Sequence, residues 1–440
     1  MSKSRILLVA SLACVVALGL TVFRTPKAAK KSVLVLMLDT LRADHLGTYG
    51  YERNTSPVLD QFARDNLKFS YAVTAAPWTP PSIASMFTGV YPATHGWMPP
   101  NMRDKVRKMA VKLDDKLVTL AEIFKANGFS TAAVSPNPWI TDEFGYQQGF
   151  DSFTEKVRAP AEEIIRIGEA KIDEMAATGK PFFAYLHFLD PHDPYTPPGA
   201  YKTAFNGPIP GGRSYPPKEV TNINLYDGEI QYLDDQLGKL FAHLDEKGLY
   251  DDLTIIIVGD HGEQFMERGQ HGHGHQLFNE EVHVPLLVKS PRAKGPRVVD
   301  ITTSTVDVFA TALDAAGIEV PAGIPGVSLF NDQALEARQG VFTEIEKEFR
   351  QKSFTTPDGV KLIRQNNPDN TEVVVGVYDF RKDPGERQAI KDPEVIATLT
   401  HELSTTYQFA LQGRIEGSET AKAQMKDSTV EQLKTLGYLQ

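Results

Sequence analysis

The chain has 440 residues, 41% hydrophobic and 9% aromatic, enough to bury a large core, which excludes a disordered chain, a collagen-like repeat and a disulfide-stapled miniprotein. Forty-six basic against fifty-six acidic residues leave a formal charge of −10, which opposes broad attraction to phosphate backbones, so no nucleic-acid partner is expected. A smooth composition over this length predicts one large α/β domain with a smaller appendage.

The only cysteine is Cys14, so the body of the chain can hold no disulfide, no thiolate zinc site and no cysteine-derived catalytic group. Cys14 lies in an apolar run from Ile6 to Phe23, preceded by Lys3 and Arg5 and followed by Arg24, Lys27, Lys30 and Lys31. Such a run just spans a bilayer, and residues 1–31 read as a signal sequence or membrane anchor. No A-x-A cleavage signature follows, and Ser11-Leu12-Ala13-Cys14 lacks the large aliphatic first position of a lipid-attachment box, which favours an uncleaved anchor. Basic residues on both flanks leave its orientation open.

Beyond it, short aliphatic runs alternate with amphipathic stretches such as Val118 to Asn127 and Ala161 to Ala176, the pattern of a parallel sheet between helical layers. Three runs are predicted as buried strands: Val33 to Leu38, Phe182 to Leu189 and Leu253 to Val258. The first stops at Asp39, the second at Asp190-Pro191-His192-Asp193, and the third at Gly259-Asp260-His261-Gly262. Ligands gather at the carboxyl ends of strands in open α/β sheets, so three strands delivering Asp or His there predict one convergent site. Any one of these aspartates could merely form a turn; the coincidence of three carries the argument. Carboxylate oxygen and imidazole nitrogen suit zinc or manganese, one ion or two, with calcium admitted but less suited to the histidines.

Between the first two strands, Thr79-Pro80-Pro81 followed by helix-compatible residues and Gly89 predicts a helix starting near Pro81, with Thr79 at its N-terminus. A hydroxyl there faces unsatisfied N–H groups and the positive end of the helix dipole, which favour its alkoxide and an incoming anion. A metal contact would lower its pKa further and make it a nucleophile; without one it is an ordinary helix cap. Late in the chain, Gly269 to His275 reads GQHGHGH, a tract whose glycines let histidines approach a metal, His273 foremost, or which forms a solvated loop. The Pro- and Gly-rich loop from Tyr195 to Val220 is expected to rim or cover the site. Residues 337–440 look like an ordinary solvated surface, and no second activity is read there.

Taken in order, DTLRADHLGTYGY from Asp39, TPPSIASMFTGVYPATHG from Thr79, HFLDPHDPY from His187, GDHGEQF from Gly259, HGHGHQLFNEEVHVPLLV from His271 and YDFRKDPGE from Tyr378 resemble the sulfatase branch of the alkaline phosphatase superfamily. The similarity runs from about Val33 to the C-terminal EQLKTLGYL. It implies a large mixed, mostly parallel sheet sandwiched by helices over residues 32–336, and a small C-terminal α+β subdomain over 337–440. It further implies Asp39, Asp260 and His261 as ligands of a first metal, with Thr79 at the nucleophile position and also touching the metal. His192 and His273 match residues that hold a second metal or the substrate's anionic group, and His192 is also a catalytic candidate. Asp190, as a ligand or as a residue orienting His192, His187, His275 and Asn137 are weaker candidates.

The sequence departs from that pattern where sulfatases read C/S-x-P-x-R. Thr79 cannot yield the formylglycine aldehyde, Ile83 stands where the motif has arginine, and Ser135-Pro136-Asn137-Pro138-Trp139 replaces the K-x-H sulfate-binding element. Threonine is what the phosphodiesterase and phosphoethanolamine transferase relatives use. The expected activity is a metal-dependent hydrolase or transferase acting on phosphate esters through Thr79. The alternatives are a sulfatase working without formylglycine, and a non-catalytic metal- or anion-binding envelope protein. The expected substrate is an anionic ester on a lipid or envelope glycan, and the expected location is extracytoplasmic, membrane-anchored or secreted, and periplasmic in a bacterium.

Overall fold

The structure is a computed structural model and describes residues 30–97, 109–212, 214–293, 295–347, 350–414 and 422–435. The apolar run from Ile6 to Phe23 lies outside the described residues, and the chain divides into two units at Lys30/Lys31. Among the described residues no helix is long and apolar enough to cross a membrane.

In chain order the principal elements are β1 (Val33–Leu38), α1 (Pro57–Asp65), β2 (Leu67–Phe69), α2 (Thr79–Thr88), α3 (Leu120–Ala126), β3 (Ser130–Ser135), β4 (Ser152–Glu155), α4 (Ala161–Ala176), β5 (Phe182–Phe188), α5 (Pro217–Glu246), β6 (Thr254–Gly259), β7 (Leu286–Lys289), β8 (Arg297–Val299) and α6 (Asp307–Ala315). There follow the C-terminal strands β9 (Val341–Glu346), β10 (Arg350–Thr355), β11 (Val360–Asn366) and β12 (Glu372–Asp379), and α7 (Pro393–Gln412).

The eight strands β1 to β8 form one sheet in the order β8-β2-β7-β6-β1-β5-β3-β4. The run β4-β3-β5-β1-β6 is parallel throughout, and β7 pairs antiparallel with both β6 and β2, so the sheet is mixed but mostly parallel, as expected. Its central strands are apolar on both sides because both sides are covered. Val33, Val35 and Met37 pack with Ile256, Val258, α2 and α6, while Leu34, Leu36 and Leu38 pack with Ile255, Ile257, α1, α4 and α5.

The helices begin where the sequence satisfies their exposed N–H groups. Thr119 and Glu122 form a reciprocal capping box for α3, and Asp392 caps α7. α2 differs from the expected start near Pro81: Thr79 is its first residue and Trp78 its N-cap, because prolines fit the second and third positions, where an N–H has no intrahelical partner anyway. It ends at Gly89, whose φ of 72° the absence of a Cβ permits.

The C-terminal strands make a four-stranded antiparallel sheet, β9-β10-β11-β12. One face, with Phe342, Phe354, Leu362 and Val377, packs against Leu399 and Leu403 of α7 and against Ala75 and Tyr91 of the larger domain.

Candidate active site

Three neighbouring strands end at one level. Leu38 is in register with Phe188 on one side and Gly259 on the other, so Asp39 and Asp260 emerge side by side with β5 alongside. Asp39 is fully buried; its Oδ2 accepts hydrogen bonds from Asn137 Nδ2 at 2.7 Å and His187 Nε2 at 2.9 Å, whereas its Oδ1 has no hydrogen-bond partner. Asp260 repeats the arrangement: Oδ1 accepts from the main-chain N–H groups of Thr40 (3.1 Å) and His261 (2.8 Å), and Oδ2 has no hydrogen-bond partner.

His261 closes the group. Its Nδ1 stands 2.9 Å from the carbonyl oxygen of Gly262, which only a protonated Nδ1 can bond, so the neutral ring keeps its lone pair on Nε2. That Nε2 lies 3.4 Å from Asp260 Oδ2, 3.7 Å from Asp39 Oδ1 and 3.1 Å from Thr79 Oγ1. The three ligand atoms of Asp39, Asp260 and His261 lie within 4.8 Å of one another.

Buried polar atoms without partners are uncommon, and two carboxylate oxygens facing a nitrogen lone pair repel one another. Burial raises the pKa of Asp39, but the hydrogen bond from His187 and the charges of His192, His187 and His261 hold it at about 2. Burial and the charge of Asp39 push Asp260 well above the carboxylate range, and burial brings His261 down to about 4. A divalent cation among these atoms would satisfy all three and remove the repulsion, so the donor set fits such an ion.

The remaining candidates divide into those that reach this centre and those that serve its surroundings. Thr79 reaches it through its contact with His261, and His273 and His192 stand beside it. The His273 ring centroid lies 4.3 Å from that of His261 and 5.1 Å from that of His192. His187 and Asn137 are corrected from metal candidates to braces. His187 uses Nε2 on Asp39 and Nδ1 on the Tyr185 hydroxyl (3.0 Å), while Asn137 donates to Asp39 and its Oδ1 accepts from Trp139 N (2.9 Å), so both side chains are oriented to hold Asp39. Asp190 is likewise corrected: its Oδ2 accepts from Ala161 N at 3.0 Å, serving the first turn of α4, and burial pushes it up to about 6. His275 is held within its own loop, Nε2 against His271 O at 3.2 Å and N donating to Glu281 Oε2 at 2.9 Å. The loop expected as a lid packs partly on α5, where the Tyr201 hydroxyl donates to Asp235 at 2.6 Å, while Glu219 at its end meets His271 Nδ1 at 2.9 Å.

Two residues escaped the sequence reading. Glu263, fully buried, places Oε1 3.1 Å from His273 Nδ1, a carboxylate–imidazole contact that fixes the ring. Its signal was its place in GDHGEQF, directly after the ligand pair. Lys347, between β9 and β10, holds its Nζ 4.6 Å from the ring centroid of Trp78, the residue before Thr79. No pattern in the charged run EIEKEF marks it, and the expectation of an ordinary surface for residues 337–440 is corrected at this point.

Comparison with known proteins agrees with this architecture. The sulfatase family model matches residues 31–318, and the model described as N-sulphoglucosamine sulphohydrolase, C-terminal, matches residues 269–411. The chain is 24% identical over 356 residues to the ulvan-active sulfatase of Formosa agariphila, covering 70% of this chain and 66% of that protein. It is 24% identical over 425 residues to the multifunctional alkaline phosphatase superfamily protein PehA of Trinickia caryophylli, covering 73% and 80%. Among solved structures, the phosphonate monoester hydrolase of Agrobacterium radiobacter superposes with a TM-score of 0.68 at 19% identity, covering 90% of this chain and 100% of that one, a likeness of fold. Since one family model spans well over half of the residues and the strand-end arrangement falls within it, the chain belongs to the sulfatase family, hydrolases of the alkaline phosphatase superfamily.

Proposed function

We propose that the protein is a divalent-metal-dependent phosphoester hydrolase with the Thr79 hydroxyl as nucleophile. The observation that supports this is the placement of Thr79 Oγ1 at the start of α2, 3.1 Å from His261 Nε2 and near enough to Asp260 to oppose in part the burial that raises that carboxyl's pKa. The other hydroxyl of that turn is engaged elsewhere: Ser82 Oγ donates to the carbonyl of Asp260 at 2.7 Å and lies 2.8 Å from Thr74 Oγ1. No cysteine is available at this position, Cys14 being far along the chain.

Asp39, Asp260 and His261 would hold the ion, zinc or manganese by their donor chemistry. Such an ion, when bound, lowers the pKa of a neighbouring hydroxyl and offsets charge on the ester oxygens. Thr79 oxygen forms a bond to phosphorus as the bond to the leaving oxygen breaks. The hydroxyl proton passes from Thr79 to solvent water, and the leaving oxygen takes one from water or from His192, so protons and charge balance. His273 stands beside His261 and His192 beside His273, as groups that bind the ester oxygens, and burial keeps His273 neutral by lowering its pKa, which leaves His192 as the histidine that donates that proton. Water then adds to phosphorus, the bond to Thr79 breaks and the hydroxyl is restored; an alcohol in place of water makes the same site a transferase.

A second reading, sulfate-ester hydrolysis at the same threonine, is favoured by the family match and by relatives such as the ulvan-active sulfatase. The location we propose, outside the cytoplasm and membrane-anchored or secreted, rests on the apolar run of residues 6–23 alone.

The test is turnover of aryl phosphate monoester, aryl phosphate diester and aryl sulfate by the purified full-length chain loaded with zinc or manganese. Phosphoester turnover that falls at least about a thousandfold in Thr79→Ala, with metal content unchanged, is expected. Sulfate turnover exceeding phosphate would replace the first reading by the second. Bound metal without turnover of any ester would leave a metal- and anion-binding envelope protein.

A further inference from the structure

An ester anion entering this site must be met by positive charge, and the segments that build the site carry almost none of their own. Residues 79–88, 185–193, 259–264 and 269–276 contain no lysine and no arginine. The arginines flanking them are committed: Arg42 pairs with Asp44 at 2.8 Å and Glu267 at 2.6 Å, and Arg268 with Glu280 at 3.4 Å and Glu386 at 3.9 Å. The helix end is itself poor in donors. Pro80 and Pro81 have no N–H, so the first turn of α2 offers an anion fewer main-chain donors than an ordinary helix N-terminus.

Lys347 arrives from elsewhere in the fold. Its Nζ lies over the Trp78 ring, and a Cβ built on Gly274, the residue after His273, would stand 2.7 Å from it. Gly274 has a φ of +75°, so its missing side chain leaves the space in which the ammonium sits. The ammonium is thereby bracketed by the neighbours of Thr79 and of His273.

That position is held by hydrogen bonds from β9 to the chain on either side of α2. Thr343 Oγ1 donates to Thr74 O at 2.7 Å, Glu344 N donates to Ala75 O at 3.1 Å, and the Glu344 carboxyl accepts from Ala93 N. β9 is thus clamped to the segment that runs into Trp78 and Thr79, and the turn after β9 carries Lys347 to the same place.

We propose that Lys347 is an anion-binding residue of the active site, its ammonium meeting a non-bridging oxygen of the tetrahedral centre. The C-terminal sheet then completes a substrate site built otherwise by the larger domain. This rests on the reading of the Thr79 site as one for a tetrahedral oxyanion ester.

The test measures inorganic phosphate binding to the metal-loaded, full-length chain by calorimetry, in a Thr79→Ala background that forms no covalent intermediate. Adding Lys347→Met weakens binding about tenfold to a hundredfold, the contribution of one charged hydrogen bond, and Lys347→Arg restores most of it. Metal content stays at the parent value in both. In the chain with Thr79 intact, Lys347→Met raises KM more than it lowers kcat. If Lys347→Met fails to fold, Lys347→Gln gives the same reading. Phosphate binding indifferent to Met, Gln and Arg at this position would overturn the proposal, as would a loss that Arg does not restore. Absence of turnover on every ester would overturn the catalytic reading while leaving the calorimetric result on Lys347 readable. Thr79-dependent turnover with phosphate binding indifferent to Lys347 would remove this inference alone.

Discussion

Ser82 Oγ donates to the main-chain carbonyl of Asp260 over 2.7 Å, tying the helix that opens with Thr79 to the strand end that carries two of the candidate ligands. Both residues are buried, so the bond is shielded from water. Ser82→Ala leaves the Asp260 carbonyl without this donor, and a loss of about 1–3 kcal/mol in unfolding free energy is expected. Because the tie also sets the distance from Thr79 to His261, turnover should fall more than metal content does. Denaturant unfolding with metal analysis and kinetics on the same preparation checks this; unaltered turnover in a destabilised variant would show that the tie serves stability only.

Asp39 and Asp260 present unpartnered oxygens toward the same nitrogen, so the metal-free chain carries their repulsion. Burial and the charge of Asp39 raise the Asp260 pKa, so in the absence of metal its ionisation opposes folding. That penalty grows as pH rises above the ordinary carboxylate value of 3.8. Asp260→Asn cannot ionise, and the amide group replacing Oδ2 can donate toward Asp39 Oδ1. In chelator at neutral pH the variant should unfold no earlier than the parent. Added zinc or manganese should stabilise the parent, by about 2.7 kcal/mol at a hundredfold excess over Kd, and leave the variant unmoved. Thermal unfolding with and without metal decides it, and an equal metal-induced rise in both would remove Asp260 from the ligand set.

The strand ends were legible because a buried parallel strand is a short run of β-branched and aromatic residues, and the first polar residue after it lies at the rim where ligands bind. Asp39, Asp260 and His261 stand out in that way. His187 and Asn137 could not be sorted by the same reasoning, since a histidine that ligates and one that braces a ligand look alike until both ring nitrogens have been followed to their partners. Asp190 shares its strand end with His192 yet turns to the first turn of α4, a choice made by packing. Lys347 was out of reach for another reason. Its position depends on β9 pairing with residues such as Thr74, 269 positions earlier than Thr343, and a lysine in an exposed-looking charge run carries no trace of that pairing.

Glu263 Oε1 stands 3.1 Å from His273 Nδ1, a carboxylate–imidazole contact that orients the ring. Glu263→Gln preserves the shape and an oxygen for that nitrogen, whereas Glu263→Ala removes it and opens a cavity. Turnover in the Ala variant should fall about tenfold to a hundredfold, the range for partners that orient a functional histidine, and the Gln variant should keep most of its activity. Metal held by Asp39, Asp260 and His261 should be retained in both. Equal loss in Gln and Ala would mean that the negative charge of Glu263, and not the orientation of His273, is what matters.

Glu344 gives a pH test that stands apart from the metal ligands. It is buried beneath the turn that carries Lys347, and burial, opposed in part by Lys352, raises its pKa from 4.5 to about 8. A carboxyl whose folded-state pKa exceeds its unfolded value binds its proton more tightly when folded. Its contribution to stability is therefore present below pH 4.5 and is lost as pH rises toward about 8. Glu344→Gln keeps an oxygen to accept the Ala93 N–H and cannot ionise, so the difference in denaturant midpoint between variant and parent should widen in the variant's favour across that window. The β9–β10 hairpin is clamped to residues 74 and 75 through β9, so loosening at Glu344 should also reach Lys347. The KM of the parent should rise with pH over the same range, more steeply than that of Glu344→Gln. Parallel stability profiles for the two proteins would show that Glu344 does not titrate in this window and that the hairpin is held by the bonds of Thr343 and of the Glu344 main chain.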